Sequence, residues 1–311
     1  MLDPQAQGLL DLMVAKGIPP VNTQTPTEAR EFYRIRRAVT QPEPPAVEWV
    51  QDHSIATETG NLTVREYQPV GRTPGAVLPA LVYLHGGGWT IGDLDTHDVL
   101  CRTLCNGAHC VVVSADYRLA PEAPFPAAYE DTLAAFAWVA SSAELLGVDA
   151  SRIAVGGDSA GGNLAAAACL GLRDSTVPPM FQLLIYPATD MRAVAPSHTT
   201  TGQGYLLTQD SIGWFRKHYV QAAHYSDWRV SPLLAAAHQG LPPALVLTAG
   251  YDPLRDEGLQ YADALSAAGV PTQYVCFERQ IHGFITMGRV MNEANTATDL
   301  CASALKRAYA R

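Results

Sequence analysis

The apolar positions of this chain change their spacing along its length. From about residue 80 onward, short continuously apolar runs recur: "ALVYLH" (80–85), "CVVVSAD" (110–116), "RIAVGG" (152–157), "FQLLIYP" (181–187), "ALVLTAG" (244–250) and "TQYVCFE" (272–278). Runs that do not alternate with polar residues are the pattern of parallel strands covered on both faces. Between them the period lengthens. In "AAYEDTLAAFAWVA", Tyr129, Leu133, Phe136 and Ala140 recur at the spacing of a core-facing helical stripe. Strand and helix in alternation predict right-handed crossovers and a doubly wound, mostly parallel α/β sheet flanked by helices. Upstream, "EWVQDHSIA" and "LTVREYQP" flank the turn signal "TETGN" and predict an antiparallel hairpin at the sheet's edge.

Two segments break the alternation. Residues 1–45 are helical and punctuated by proline, ending in "QPEPP", and residues 188–240 form a long insertion between strands. Connections longer than about 15 residues in a compact domain usually carry structure of their own or function. Both segments are expected to form a helical cap over the carboxyl edge of the sheet, where ligands bind in such folds. The core then comprises residues 46–187 and 241–311.

Composition narrows the function classes. A net charge of −9 with no cluster of Lys and Arg disfavours nucleic acid as a partner, because phosphate binding needs concentrated basic charge. The start, "MLDPQAQGLLDLMVAKG", does not read as a secretory signal, and no stretch approaches the roughly 18 apolar residues of a membrane span. The expectation is a cytoplasmic protein without a membrane partner. Six cysteines form no C-x-x-C pair. In "THDVLCRTLCNGAHC", His97, Cys101 and Cys105 share one helical face, which makes metal ligation conceivable. Gly107 is expected to end that helix before His109 can join and a fourth ligand is missing, so packing of small apolar thiols is preferred and no metal is expected.

The candidate chemistry begins at "RIAVGGDSAGGNLAAAACLGL" (152–172), a buried strand followed by an alanine-rich helix with Ser159 at the junction. "GDSAG" fits G-x-S-x-G in the strand–turn–helix context that pattern requires. A turn this tight needs glycine two residues before and two after the serine, strains the serine backbone and lifts its hydroxyl clear of the sheet. A helix cap or a phosphate cradle are the alternatives, but no lysine follows as a phosphate loop would require. "YLHGGGW" (83–89) ends a central strand with three glycines, which makes sense if backbone N–H groups approach a ligand oxygen. The expected donors are the amides of Gly87, Gly88 and Ala160, with Gly86 as the substitute.

A serine hydroxyl needs a base to take its proton and an acid to orient that base. "TAGYDPLRDEG" places Asp252 at the end of one strand, with Asp256 and Glu257 as rival acids, and "QIHGF" places His282 just after the last strand. The order serine, acid, histidine matches the pattern.

Together, "HGGGW", "DYRLAPE" (116–122), "GDSAGG", "DPLRDEG" (252–258) and "HGF" (282–284) resemble, in that order, the hormone-sensitive-lipase family of carboxylesterases, which are α/β-hydrolases. The resemblance runs from about residue 80 to the end of the chain. It implies an α/β-hydrolase fold with a helical cap, and a serine carboxylesterase acting without cofactor on short-to-medium acyl esters. Ser159 would attack, His282 would move the proton and Asp252 would steady the imidazole. Asp116 and Arg118 would brace loops near the glycine run. Trp89, Tyr186, Leu206, Trp214, Ile281 and Phe284 would be candidates for the acyl and alcohol pockets. "TQYVCFE" could pair two copies through the last strand. Peptides, lactones, acetylated sugars or drug-like esters are alternative substrates, and plant gibberellin receptors, which resemble this family, supply a non-catalytic alternative.

Overall fold

The computed structural model describes residues 1–310. Its eight strands are β1 (Trp49–Thr57), β2 (Gly60–Gln68), β3 (Leu78–Leu84), β4 (Val111–Ala115), β5 (Val148–Asp158), β6 (Gln182–Ile185), β7 (Ala244–Tyr251) and β8 (Thr272–Ile281). They form one sheet in the order β1-β2-β4-β3-β5-β6-β7-β8. The β1–β2 hairpin lies at one edge, antiparallel to its neighbours, and every other pairing is parallel. The fold is that of the α/β hydrolases. Because the strand order reverses on either side of β3, a crevice opens where the strands end, which is where such sheets take ligands.

The helices are α1 (Pro4–Ala15), α2 (Pro26–Thr40), α3 (Asp98–Ala108), α4 (Ala127–Ser141), α5 (Ala143–Leu146), α6 (Ala160–Leu172), α7 (Ser197–Thr200), α8 (Gln209–Tyr219), α9 (Arg255–Ala267) and α10 (Asn292–Tyr309). Side-chain alternation along the central strands divides the core. Val82 of β3 and Val111 and Val113 of β4 point into the layer of α4, α6 and α9, while Leu81, Tyr83 and Val112 point into that of α3 and α10. All seven residues of β3 and all five of β4 are buried, so both faces exclude water along their length. Each fully buried Val or Leu contributes about 1.5–3 kcal/mol relative to exposure. The run "TQYVCFE" departs from the other strands: as β8 it is the sheet's second edge and is only half-buried until Gln280 and Ile281.

Two helical expectations need adjustment. On α4, Tyr129 and Phe136 are buried, but Ala128, Thr132, Ala135 and Val139 complete the stripe, leaving Leu133 and Ala140 at its margin. Helix α3 runs through Gly107 to Ala108, and His109 closes it in the left-handed region at φ 52°. Gly107 is glycine because a Cβ there would come within 2.7 Å of the Ala302 methyl on α10. Close helix approach, not helix termination, requires it. The His97–Cys101–Cys105 face disperses: His97 turns to Asp158 at 3.2 Å, while the Cys105 thiol donates to the Cys110 carbonyl at 3.1 Å. Among the described residues no three His, Cys, Asp or Glu side chains converge as metal ligands, and no helix is long and apolar enough to cross a membrane.

The early and inserted segments are built on strong helix signals. Thr25 and Glu28 close a capping box ahead of α2, with Pro26 in the first turn. Helix α2 buries Ala29, Tyr33, Arg37 and Thr40 along one face, and its Arg30 pairs with Glu122 at 2.6 Å. Thr208 caps α8 by accepting from the Ser211 amide.

Candidate active site

Strand β5 ends at Asp158, α6 begins at Ala160, and Ser159 makes the whole turn at φ 57° and ψ −115°. This is a strained region for a residue with a side chain, and the flanking packing holds it there. A Cβ at Gly157 would strike the Leu84 carbonyl and the Gly161 backbone; one at Gly161 would strike the carbonyls of Leu84 and His85. The end of β3 thus presses against the turn from below, and only glycine leaves room.

The Ser159 hydroxyl lies 2.9 Å from His282 Nε2, and Nδ1 of the same ring lies 2.6 Å from Asp252 Oδ2. Asp252 is fully buried just past β7, where its second oxygen accepts the Leu254 amide at 2.8 Å. A buried carboxylate facing Nδ1 selects the tautomer that donates to it, which leaves the Nε2 lone pair toward the hydroxyl. The Tyr186 ring, 4.6 Å from the imidazole centroid, holds the ring from the side. The two rival acids are engaged elsewhere. Asp256 accepts the Ser197 amide at 2.9 Å and pairs with Arg255, while Glu257 pairs with His198 at 2.6 Å. Burial pushes Glu257 above the usual carboxylate range even though His198 and the amides of Thr189 and Asp190 draw it down.

The glycine run folds over the same corner. Gly87 and Gly88 take φ 133° and 56°, conformations that disfavour side chains; a Cβ would strike the Ile91 carbonyl at Gly87 and the Phe215 ring at Gly88. Gly86 cannot serve as a substitute donor, because its N–H goes to Asp158 Oδ1 at 2.9 Å. Among the described residues the amides of Gly87, Gly88 and Ala160 donate to no protein acceptor. They stand beside the start of α6, whose dipole favours negative charge. Asp158 anchors this arrangement. Burial opposes its ionisation, but His97, Arg37 and the Tyr83 hydroxyl outweigh burial and hold it below the usual carboxylate range. From "DYRLAPE", Tyr117 donates to the His85 carbonyl at 2.7 Å and Arg118 ties the loop to Asp131 of α4 at 2.8 Å, while Asp116 faces outward.

A cavity of about 400 Å³ opens onto Ser159 and His282. Its wall includes residues of α1, α2, α8 and the loop before α8, so both segments outside the sheet contribute to it. Of the six expected pocket residues, Trp89 and Leu206 line it. Tyr186, Trp214, Ile281 and Phe284 do not. Ile281 and Phe284 are fully buried in the α3–α10 layer, and Tyr186 sits behind the imidazole. Trp214 packs on Phe215 and His218, one residue off the face of α8 that reaches the cavity. That face consists of Ser211, Ile212, Phe215 and Arg216. One residue along a helix turns about 100°, enough to exchange the cavity lining for the packing behind it. Phe215 was detectable in "DSIGWFRKHYV" only as one of two adjacent aromatics; Tyr33, Arg36 and Arg37 gave no signal beyond an amphipathic helix.

Residues 81–286 match the family described as alpha/beta hydrolase fold. Similar proteins include the carboxylic ester hydrolase LipN of Mycobacterium tuberculosis, 41% identical over 100% of this chain and 84% of the relative. An ethyl acetate hydrolase of Pseudomonas putida is 38% identical over 93% of this chain and 92% of its own length. Among solved structures, an ester hydrolase from the metagenome of Lake Arreo, complexed with a bipyridine phosphonate derivative, superposes with a TM-score of 0.96 at 44% identity, each chain covered completely.

Proposed function

Starting from the chain's membership of the hormone-sensitive-lipase family of α/β-hydrolases, as a carboxylic ester hydrolase, we propose that it cleaves short-to-medium acyl esters through an acyl-enzyme on Ser159. The connected Ser159, His282 and Asp252 favour this reading over the receptor alternative. The observation that carries the proposal is the chain of hydrogen bonds from Ser159 through His282 to Asp252, beside three unengaged amides.

In the first step Ser159 Oγ bonds to the ester carbonyl carbon while its proton passes to His282 Nε2, and Asp252 stabilises the imidazolium that forms. The carbonyl oxygen becomes an oxyanion received by the amides of Gly87, Gly88 and Ala160. Fixed donors of this kind lower the barrier by roughly 3 kcal/mol each. The carbon–oxygen bond to the alcohol then breaks, and His282 returns the proton to the departing oxygen. Water, deprotonated by the same histidine, attacks the acyl-enzyme and releases the acid and the free serine. Side chains and amides of this chain supply each step.

The cavity, about 400 Å³, is near the lower end of small-molecule pockets, which run roughly 300–1,000 Å³. This size supports an optimum at about four to eight acyl carbons, and the relative named for ethyl acetate acts on a shorter, two-carbon acyl group. The test is a fluorophosphonate label together with a series of nitrophenyl esters. Expected are labelling lost in Ser159→Ala and a rate that falls toward long chains. An unlabelled, folded wild type or a preference for sixteen-carbon chains would refute the proposal.

A further inference from the structure

Helix α2 carries four arginines, and they divide into two kinds. Arg30 pairs with Glu122, and Arg34 with Asp93. Arg36 and Arg37 have no acidic partner among the described residues, yet both line the cavity that contains Ser159 and His282. Arg37 is 3% exposed. Its Nη2 donates to the Tyr33 hydroxyl, whereas Nε and Nη1 are buried with no acceptor, as is Arg36 Nε. The two guanidinium carbons lie 4.6 and 5.0 Å from the Tyr33 ring centroid. A ring face attracts a cation but leaves the in-plane N–H donors unmatched.

Among the acids in the same wall only Asp158 acts on Arg37, through its charge, and none accepts a hydrogen bond from either guanidinium. Asp158 accepts from the Tyr83 hydroxyl at 2.8 Å and the Gly86 amide at 2.9 Å, and faces His97. Asp190 pairs with Arg192 at 2.8 Å and Glu257 with His198 at 2.6 Å. Burial, reinforced by the Arg37 charge, pulls Arg36 down to about 10, which still leaves it cationic at neutral pH. A buried guanidinium with free donors is expensive to fold around unless something binds it. Its planar fork is matched to a carboxylate.

We propose that the cavity accepts esters bearing a second, ionised carboxylate, held by the paired charges of Arg36 and Arg37, with a turn of the Arg37 side chain bringing its buried Nε and Nη1 donors to it while Ser159 acts on the ester. The inference rests on the ester-hydrolase reading above.

The carboxylate could belong to the acyl part or to the alcohol part, and two substrate pairs separate these. The acyl pair is ethyl hydrogen adipate against ethyl hexanoate; the alcohol pair is 4-acetoxybutyrate against butyl acetate. For each pair the ratio of kcat/KM, anionic over neutral, is measured in the wild type and in R37M, R37K and R36M. A ratio taken within one preparation is independent of how much protein is folded. The expected result, for at least one pair, is a wild-type ratio of one or more. It falls about ten- to hundredfold in R37M, the range for a lost charge-assisted hydrogen bond, and less in R37K. The pair that responds identifies the side of the ester that carries the carboxylate. If R37M does not fold, R36M and inhibition of the wild type decide, with adipate expected to inhibit at least tenfold better than hexanoate. Ratios well below one that do not move in R37M or R36M, or equal inhibition by the two acids, overturn the proposal. Failure to hydrolyse the neutral esters, with Ser159 unlabelled, would instead overturn the ester-hydrolase reading.

Discussion

The corner around Ser159 and the wall of the cavity above it are held by different physics. At the corner, positions are dictated by backbone. The Ser159 turn is fixed by contact between Gly161 and the Leu84 carbonyl, and Asp252 and His282 project from the ends of adjacent parallel strands β7 and β8. The wall is built from side chains of α2 and α8, which reach the cavity only through how those helices pack. Backbone contacts of that kind tolerate almost no variation, whereas a helix face can be exchanged by one residue's rotation. The corner should therefore govern rate for every ester, and the wall should govern which esters bind.

The largest expected effect breaks the corner itself. Ser159→Ala and His282→Ala should each lower kcat by on the order of 10⁶, and the double variant should lose little more, because the groups act as a unit. Steady-state kinetics of the three variants checks this, and losses that multiply would show independent roles. Next in size, Asp252→Asn should cost about 10⁴ in kcat with the fold intact, by favouring the wrong imidazole tautomer. Asp256→Asn should cost far less, since that carboxylate serves Ser197 and Arg255; the reverse ranking would reassign the acid.

The wall sharpens the comparison at smaller scale. Phe215→Ala should lower kcat/KM for apolar acyl esters about tenfold, chiefly through KM, as expected for the loss of an apolar contact worth roughly 1–3 kcal/mol. Trp214→Ala, its neighbour packed behind the wall, should change kcat/KM by less than about threefold, because it meets the cavity only through Phe215, Tyr33 and Ile91. Equal effects would mean that α8 sits in another rotation when substrate binds.

The last test reads stability behind the corner and not rate. His85 is buried against Tyr117, and burial together with His97 lowers it from 6.5 to about 4. The unfolded chain therefore binds a proton there that the folded chain refuses. Its contribution is fully present above about pH 6.5 and is lost as pH falls toward 4, at up to about 1.4 kcal/mol per pH unit. Denaturant melts across that interval should show a shallower slope for His85→Gln than for the wild type. An unchanged slope would mean that the imidazole is already protonated in the folded state.

Much of the scaffold could be read from local pattern. Continuous apolar runs marked the five inner parallel strands, β3 to β7, and "TETGN" marked the β1–β2 turn, because burial on two faces and tight turns each restrict residue type locally, whereas the run of β8 proved to be a half-buried edge. Gly107 misled for the opposite reason: its glycine answers to Ala302 on a helix nearly two hundred residues away, and a partner so distant leaves no trace at the position itself. Shorter but still non-local separations, 72 and 32 residues, hid the roles of Gly86, whose amide is taken by Asp158, and of Tyr117 beneath His85.

What the order of residues determined unaided was the set of short-range necessities: a glycine-flanked serine between strand and helix, a glycine run after a strand, and an acid and a histidine after later strands. Each is imposed by geometry spanning a few residues. Tertiary structure alone decided that Asp252 and not Asp256 faces His282, that Phe215 and not Trp214 meets the cavity, and that Arg36 and Arg37 stand there with no acid hydrogen-bonded to them. Those outcomes depend on the rotation and seating of whole helices, a sum of many weak contacts that no single stretch of sequence contains.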